Sequence, residues 1–157
     1  MIFATIGTQI PFDRFVRMLD EACAGIGEEV IVQTINPQYK PKHLKVVGFL
    51  PPDEFAKYFD KARLVVAHAG MGTILSALSK GKPIIIVPRL ASLGEHRNDH
   101  QMITAMRMNE LGYVRVAYDG RQLAAFLKDT EDIKPLIKID DAASKSLTQS
   151  ICDFIEK

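Results

Sequence analysis

Short runs of β-branched and aliphatic residues alternate along the chain with stretches whose apolar positions recur every three or four residues. That alternation predicts a mostly parallel sheet with helices between its strands. Ile2 to Ile6 reads as the first strand, and Phe12, Phe15, Val16, Leu19 and Cys23 then share one face of a helix. Val30 to Thr34 is a second strand and Leu44 to Phe49 a third. Pro51-Pro52 opens a short helix through Phe55 and Phe59, because a first-turn proline has no N–H to lose. Leu64 to Ala67 is a buried-strand run, followed by a helix that uses Ile74, Leu75, Ala77 and Leu78 and stops at Gly81. Pro83 to Val87 is the next strand, ended by Pro88. Beyond the polar loop Arg89 to Asn98, Met102, Ile103 and Met106 are expected to face inward from a helix closed by Gly112. Val114 to Ala117 is the last strand. Two helices follow; the second, over 141–157, starts at Asp140-Asp141 and carries Leu147, Ile151, Phe154 and Ile155 at helical spacing.

No repeat, linker or low-complexity tract interrupts this order, and 157 residues suit one core, so the expectation is a single α/β domain over 1–157. It should be a Rossmann-like parallel sheet flanked by helices. A net charge of +1 gives no global field that would gather nucleic acid. Cys23 and Cys152 lack metal or CxxC spacing and read as apolar fillers. The start carries no basic n-region, and apolar runs such as Ile84 to Val87 are too short to span a bilayer, so the cytoplasm is the expected location.

In open α/β sheets, ligands bind where strands end and loops lead into helices. Two such loops are rich in small residues: Thr5-Ile6-Gly7-Thr8-Gln9 and His68-Ala69-Gly70-Met71-Gly72-Thr73. Gly70 and Gly72 let a ligand approach the backbone, and free N–H groups at the next helix's start suit a phosphate. A tight strand-to-helix turn accounts for the same glycines. Thr73 could cap that helix or give a hydroxyl to a phosphate oxygen. A dinucleotide fingerprint fails at Leu75, which occupies the third glycine position, and no acidic residue ends a strand about twenty residues later. Gly81-Lys82 is not a P-loop, since Pro83 follows and the pair ends a helix. His96 and His100 are four apart, as in a metal pair, but Arg97 stands where a zinc protease has glutamate. A solvated loop with Asn98 or Asp99 as helix cap explains that run without a metal, and none is expected. His68 ends a buried strand, where a core histidine and a ligand contact are both reasonable.

Taken together, His68-Ala-Gly-Met-Gly-Thr73, Gly81-Lys-Pro83, Pro88, His100-Gln101 and Leu111-Gly112 form one signature. It resembles the C-terminal domain of glycosyltransferase family 28, the donor half of a two-domain GT-B enzyme. Thr5-Ile6-Gly7-Thr8 with Phe12-Asp13, and the run Gly94-Glu-His-Arg-Asn-Asp-His-Gln101, are similar to its small stand-alone versions. Those include the cytosolic subunit of the eukaryotic two-part UDP-GlcNAc transferase and one half of split exopolysaccharide and capsule transferases. The resemblance covers roughly 1–128.

It implies a hexosyltransferase that takes a UDP-sugar and a lipid-linked acceptor, inverts the anomeric carbon and uses no metal or other cofactor. Gly7, Thr8, His68, Gly70, Met71, Gly72, Thr73, His100 and Gln101 would hold the donor. Many relatives place glutamate at the ribose position, where this chain has Ser76. The catalytic base would come from a membrane-associated acceptor-binding partner, with Asp13 and Glu95 the candidates on this chain. The last helix would dock that partner or fold back on its own domain. The isolated chain could form homo-oligomers. A non-catalytic enhancer subunit and an autonomous nucleotide-sugar epimerase are the rival readings.

Overall fold

The computed structural model describes residues 1–129 and 145–155. Six strands form one sheet in the order β3-β2-β1-β4-β5-β6. They are β1 (Ile2–Thr5), β2 (Val30–Gln33), β3 (Lys45–Val47), β4 (Leu64–His68), β5 (Ile84–Val87) and β6 (Arg115–Val116). Every neighbouring pair is parallel, with Ile2 opposite both Val30 and Leu64. The helices are α1 (Asp13–Ala22), α2 (Pro52–Lys61), α3 (Met71–Ser79), α4 (His100–Glu110), α5 (Gly120–Lys128) and α6 (Lys145–Ile155).

Alternation along each strand sends side chains to two cores. Ile2, Ala4, Leu64, Val66 and Ile85 pack with Phe15, Leu19 and Leu123 from α1 and α5. Phe3, Val65, Ala67, Ile84 and Ile86 pack with Phe59, Ile74, Leu78 and Met108 from α2, α3 and α4. β1, β2, β4 and β5 are buried on both faces, which is why they read as continuous apolar runs. α3 ends in a Schellman turn: Gly81 has φ +61°, its N–H reaches Leu78 O at 3.2 Å, and Lys82 N–H reaches Ala77 O at 2.8 Å. Gly112 ends α4 in the same way.

The observed β3 and β6 are shorter than the expected strands, since both lie at sheet edges and pair on one side. α4 corrects the expected inner face. Thr104, Ala105 and Met108 are buried, whereas Ile103 and Met106 are about half exposed. Ala105 meets the sheet, and this small side chain sets the helix phase where apolar bulk had suggested its larger neighbours. Cys23 is buried, and burial pushes its thiol up to about 12, but Cys152 is exposed on α6 and fills no core. α6 folds back on its own domain: Ile151 and Phe154 line a groove with Met71, Met108 and Leu111, while Ile155 stays exposed. Asp140-Asp141 and the side chain of Leu147 lie outside the described residues. Among the described residues no helix is long and apolar enough to cross a membrane.

The segment before β3 has little regular structure and is held from α1. Asp20 is buried and accepts from Tyr39 Oη at 2.7 Å, His43 N–H at 2.7 Å and Lys42 N–H at 3.0 Å. Burial alone would raise its carboxyl, but the backbone donors of His43 and Lys42 and the Tyr39 hydroxyl outweigh that and hold it below the usual carboxylate range. Its contribution is therefore present above the unfolded value of about 3.9 and is lost as pH falls through the lower folded value. Asp20→Ala should cost about 2 kcal/mol at pH 7. Urea unfolding at several pH values should show the gap from wild type closing below about pH 4.

Candidate functional site

The sheet order turns back between β1 and β4, and the loops leaving these strands diverge. A cleft of about 470 Å³ opens there, at the carboxyl ends of β1, β4 and β5. The loop after β1 supplies Ile6 to Ile10, the start of α3 supplies Gly70, Gly72 and Thr73, and the segment after β5 supplies Arg89, His96 and Gln101. His68 closes the floor.

α3 has no side-chain cap, and Ile74 N–H is the first to bond within it, to Gly70 O at 3.1 Å. The N–H groups of Met71, Gly72 and Thr73 are thus left for an outside acceptor at the positive end of the helix. Thr73 lies inside the first turn and does not cap it. A Cβ built on Gly72 would meet nothing within 4 Å, so no contact of the chain requires glycine there. Its missing side chain leaves cleft volume for a ligand.

Gly7 and Gly70 are glycines for a different reason. A Cβ on Gly7 would lie 2.9 Å from His68 Nε2, and one on Gly70 would lie 2.7 Å from the same nitrogen. Gly7 also has φ +80°, which favours glycine by conformation. The imidazole therefore fills the space between two bare backbones. Arg89 N–H donates to Gln101 Oε1 at 3.1 Å, which turns the Gln101 amide nitrogen toward His68 Nδ1, also at 3.1 Å. Nδ1 accepts, so the neutral ring carries its proton on Nε2. Burial pushes the ring down to about 4, and the charge on Arg89 adds to that effect.

Arg89 ties the remaining loops together. Its guanidinium donates to Ile6 O at 2.9 Å, Ile10 O at 2.6 Å, Pro11 O at 2.9 Å and Glu95 O at 3.3 Å, and it lies 4.6 Å from the Phe12 ring centre. The sequence places Arg89 at the start of a polar loop. Three of its four partners are backbone carbonyls from distant positions, which leave no pattern in the residues.

The structure brings together Gly7, Thr8, His68, Gly70, Gly72, Thr73 and Gln101. It leaves five other candidates outside the lining. Met71 points into the α4–α6 groove, and His100 stands exposed at the start of α4, where His96 in the preceding loop lines the cleft instead. Asn98 Oδ1 accepts from His100 N–H at 3.1 Å from one residue before the cap position. The N-cap residue Asp99 makes no side-chain cap bond and accepts from Ala91 N–H instead, so the expected side-chain cap is not formed. Ser76 is exposed and donates to Gly72 O at 2.9 Å. Asp13 accepts from the Gln38 and Tyr39 N–H groups, and Glu95 is forked onto Arg14 at 2.8 Å while accepting from Leu90 N–H. Both carboxylates hold loops. Among the described residues no three His, Cys, Asp or Glu side chains gather as metal ligands would.

Residues 22–151 match the glycosyltransferase family 28 C-terminal domain. The chain belongs to this family. The UDP-N-acetylglucosamine transferase subunit ALG13 of Candida albicans is 23% identical over 96 residues, covering 61% of this chain and 31% of that protein. The chain thus spans about a third of this relative's length. In fold it is similar to the solution structure of ALG13, at TM-score 0.60 and 23% identity, over 96% of this chain and 93% of that one. MurG of Acinetobacter baumannii matches at TM-score 0.64 and 17% identity, over 98% of this chain and 49% of that one. The fold of this family 28 domain is that of one half of a GT-B glycosyltransferase.

The glycine–histidine packing gives a direct test. Gly70→Ala should cost about 1–3 kcal/mol through overpacking on His68, and Gly72→Ala should stay within about 0.5 kcal/mol. In a double-mutant cycle read by urea unfolding, His68→Ala should relieve most of the Gly70→Ala cost, since the two changes share one contact.

Proposed function

We propose that this chain is the donor-binding subunit of a two-component glycosyltransferase, moving a hexosyl group from a UDP-sugar to a lipid-linked acceptor in polysaccharide biosynthesis. The observation that carries this reading is the uncapped start of α3 beside the open space at Gly72. Unpaired N–H groups at a helix's positive end suit a diphosphate, and they are fixed before the reaction begins. Their chemical task is to hold the negative charge that grows on the departing UDP. The neutral His68 Nε2–H and the Thr73 hydroxyl add uncharged donors near the same wall. The uridine choice leans on the relatives, several of which are named as UDP-N-acetylglucosamine transferase subunits.

A partner supplies the rest. Asp13 and Glu95, the two candidate carboxylates beside the cleft loops, are occupied by backbone N–H groups and Arg14 and cannot serve as a free base. The base and the acceptor site then sit on the partner, a membrane-associated subunit that holds this chain at the cytoplasmic face. The reaction needs no metal and no further cofactor on this chain.

Isothermal titration of the chain with UDP and with ADP tests the donor site. UDP should bind in preference to ADP, and Gly72→Asp should weaken it at least about tenfold by placing a carboxylate among the phosphate donors. If neither the chain nor its complex with a partner holds UDP, the donor reading fails and a non-catalytic enhancer role replaces it.

A further inference from the structure

Arg89 is 3% exposed, yet among the described residues no carboxylate lies within ion-pairing distance of it. Its donors end on four carbonyl oxygens, and the neighbouring Glu95 carboxylate is bound in a fork to Arg14. Carbonyl dipoles satisfy hydrogen bonds, but they do not cancel a full charge. Arg14, Glu95 and Arg89 together leave one net positive charge packed against the cleft wall. Among the described residues no Asp or Glu lines that cleft, and its other titratable groups are the imidazoles of His68 and His96. An isolated buried cation is costly unless something compensates it, and the open side from which an anion could do so is the cleft itself. A charge held by four carbonyls also needs no rearrangement when a ligand arrives.

We infer that Arg89 is a specificity-determining residue: a fixed cation under the cleft that makes it select the diphosphate part of its ligand over the nucleoside part. The inference rests on the donor reading of this cleft and names the residue that gives it a sign. Its four Nη1 and Nη2 hydrogens are already taken by the chain, and the charge they carry acts on the cleft through space. The helix start and Thr73 make the contacts; Arg89 sets the potential in which they are made. The same four bonds hold the β1–α1 loop against the segment after β5, so the charge and the shape of the wall come from one side chain.

The test compares wild type with Arg89→Met and Arg89→Lys, titrated with UDP and with uridine. Arg89→Met should weaken UDP about tenfold or more and change uridine less than about twofold. Arg89→Lys keeps the charge and should recover most of the UDP affinity. UDP affinity unchanged in Arg89→Met, or UDP and uridine weakened alike in a folded variant, would overturn the inference. If Arg89→Met does not fold by circular dichroism, Arg89→Gln keeps a planar donor group without charge and carries the same comparison. Ring NMR titration of His68 needs no ligand. Its midpoint should rise from about 4 toward the ordinary imidazole value in Arg89→Met and stay low in Arg89→Lys. An unmoved midpoint shows that the charge does not reach the cleft and overturns the inference. If neither the wild-type chain nor its complex with a partner holds UDP, the donor reading fails and the diphosphate selectivity assigned to Arg89 is overturned with it, whatever the His68 midpoint.

Discussion

The pairing of β1 with β4 constrains everything built above the sheet. Both strands are buried on both faces, so their register is fixed by side chains that must alternate into two separate cores. Because the sheet order turns at this pair, the chain leaves β1 toward one face and β4 toward the other, and a crevice opens between the two exits. A parallel sheet thus creates a cavity by topology before any side chain is chosen for it. What the loops add is the lining. A short exit from β4 and the longer segment 88–99 after β5 place α3 and α4 so that one helix start and one glutamine meet over the end of β4.

Within that crevice each small residue answers to a specific neighbour. Gly7 and Gly70 give their volume to His68, which holds Gln101, which in turn accepts from Arg89 N–H. The Arg89 guanidinium then returns to the β1 exit through Ile6 and Ile10. The loop after β1, the turn after β4 and the segment after β5 are thereby joined in one closed chain of contacts. Buried polar networks of this kind are demanding, because a missing member leaves the next one unpaired. Gly72 stands outside the chain of contacts, and that separates a glycine with room for something else from glycines already occupied by the protein.

The fold was largely readable because strands buried on both faces announce themselves as apolar runs and because glycine and proline mark helix ends. β4 and β5 differ from their sequence-based bounds by one residue at most, and Gly81 and Gly112 stop their helices as expected. The α4 face was not readable. Periodicity weighs bulk, and there the buried positions are Thr104, Ala105 and Met108, with Ile103 and Met106 outside. The glycine loop and Gln101 were legible as candidate site residues because motifs are local. Arg89 was not, since three of its four partners lie about eighty positions earlier and all are carbonyls, which every residue has. The histidine pair shows the same limit: spacing says that His96 and His100 are near each other, and the start of α4 decides which one faces the cleft.

The division of labour in the proposed reaction follows from these charges. Stabilising a departing diphosphate calls for fixed positive potential, and a base that takes a proton from an acceptor calls for a negative or neutral proton acceptor. Placed on one wall, the two would oppose each other: a nearby cation lowers the basicity of a carboxylate, and a carboxylate repels the diphosphate. Among the described residues no carboxylate lines the cleft, and Glu95, next in sequence to the lining residue His96, is bound to Arg14. Such a wall suits the leaving group and suits a base poorly. Placing the base across the cleft, on a separate surface, keeps both electrostatic environments intact until the acceptor closes the gap, and it gives a physical reason for such a transferase to be built in two parts.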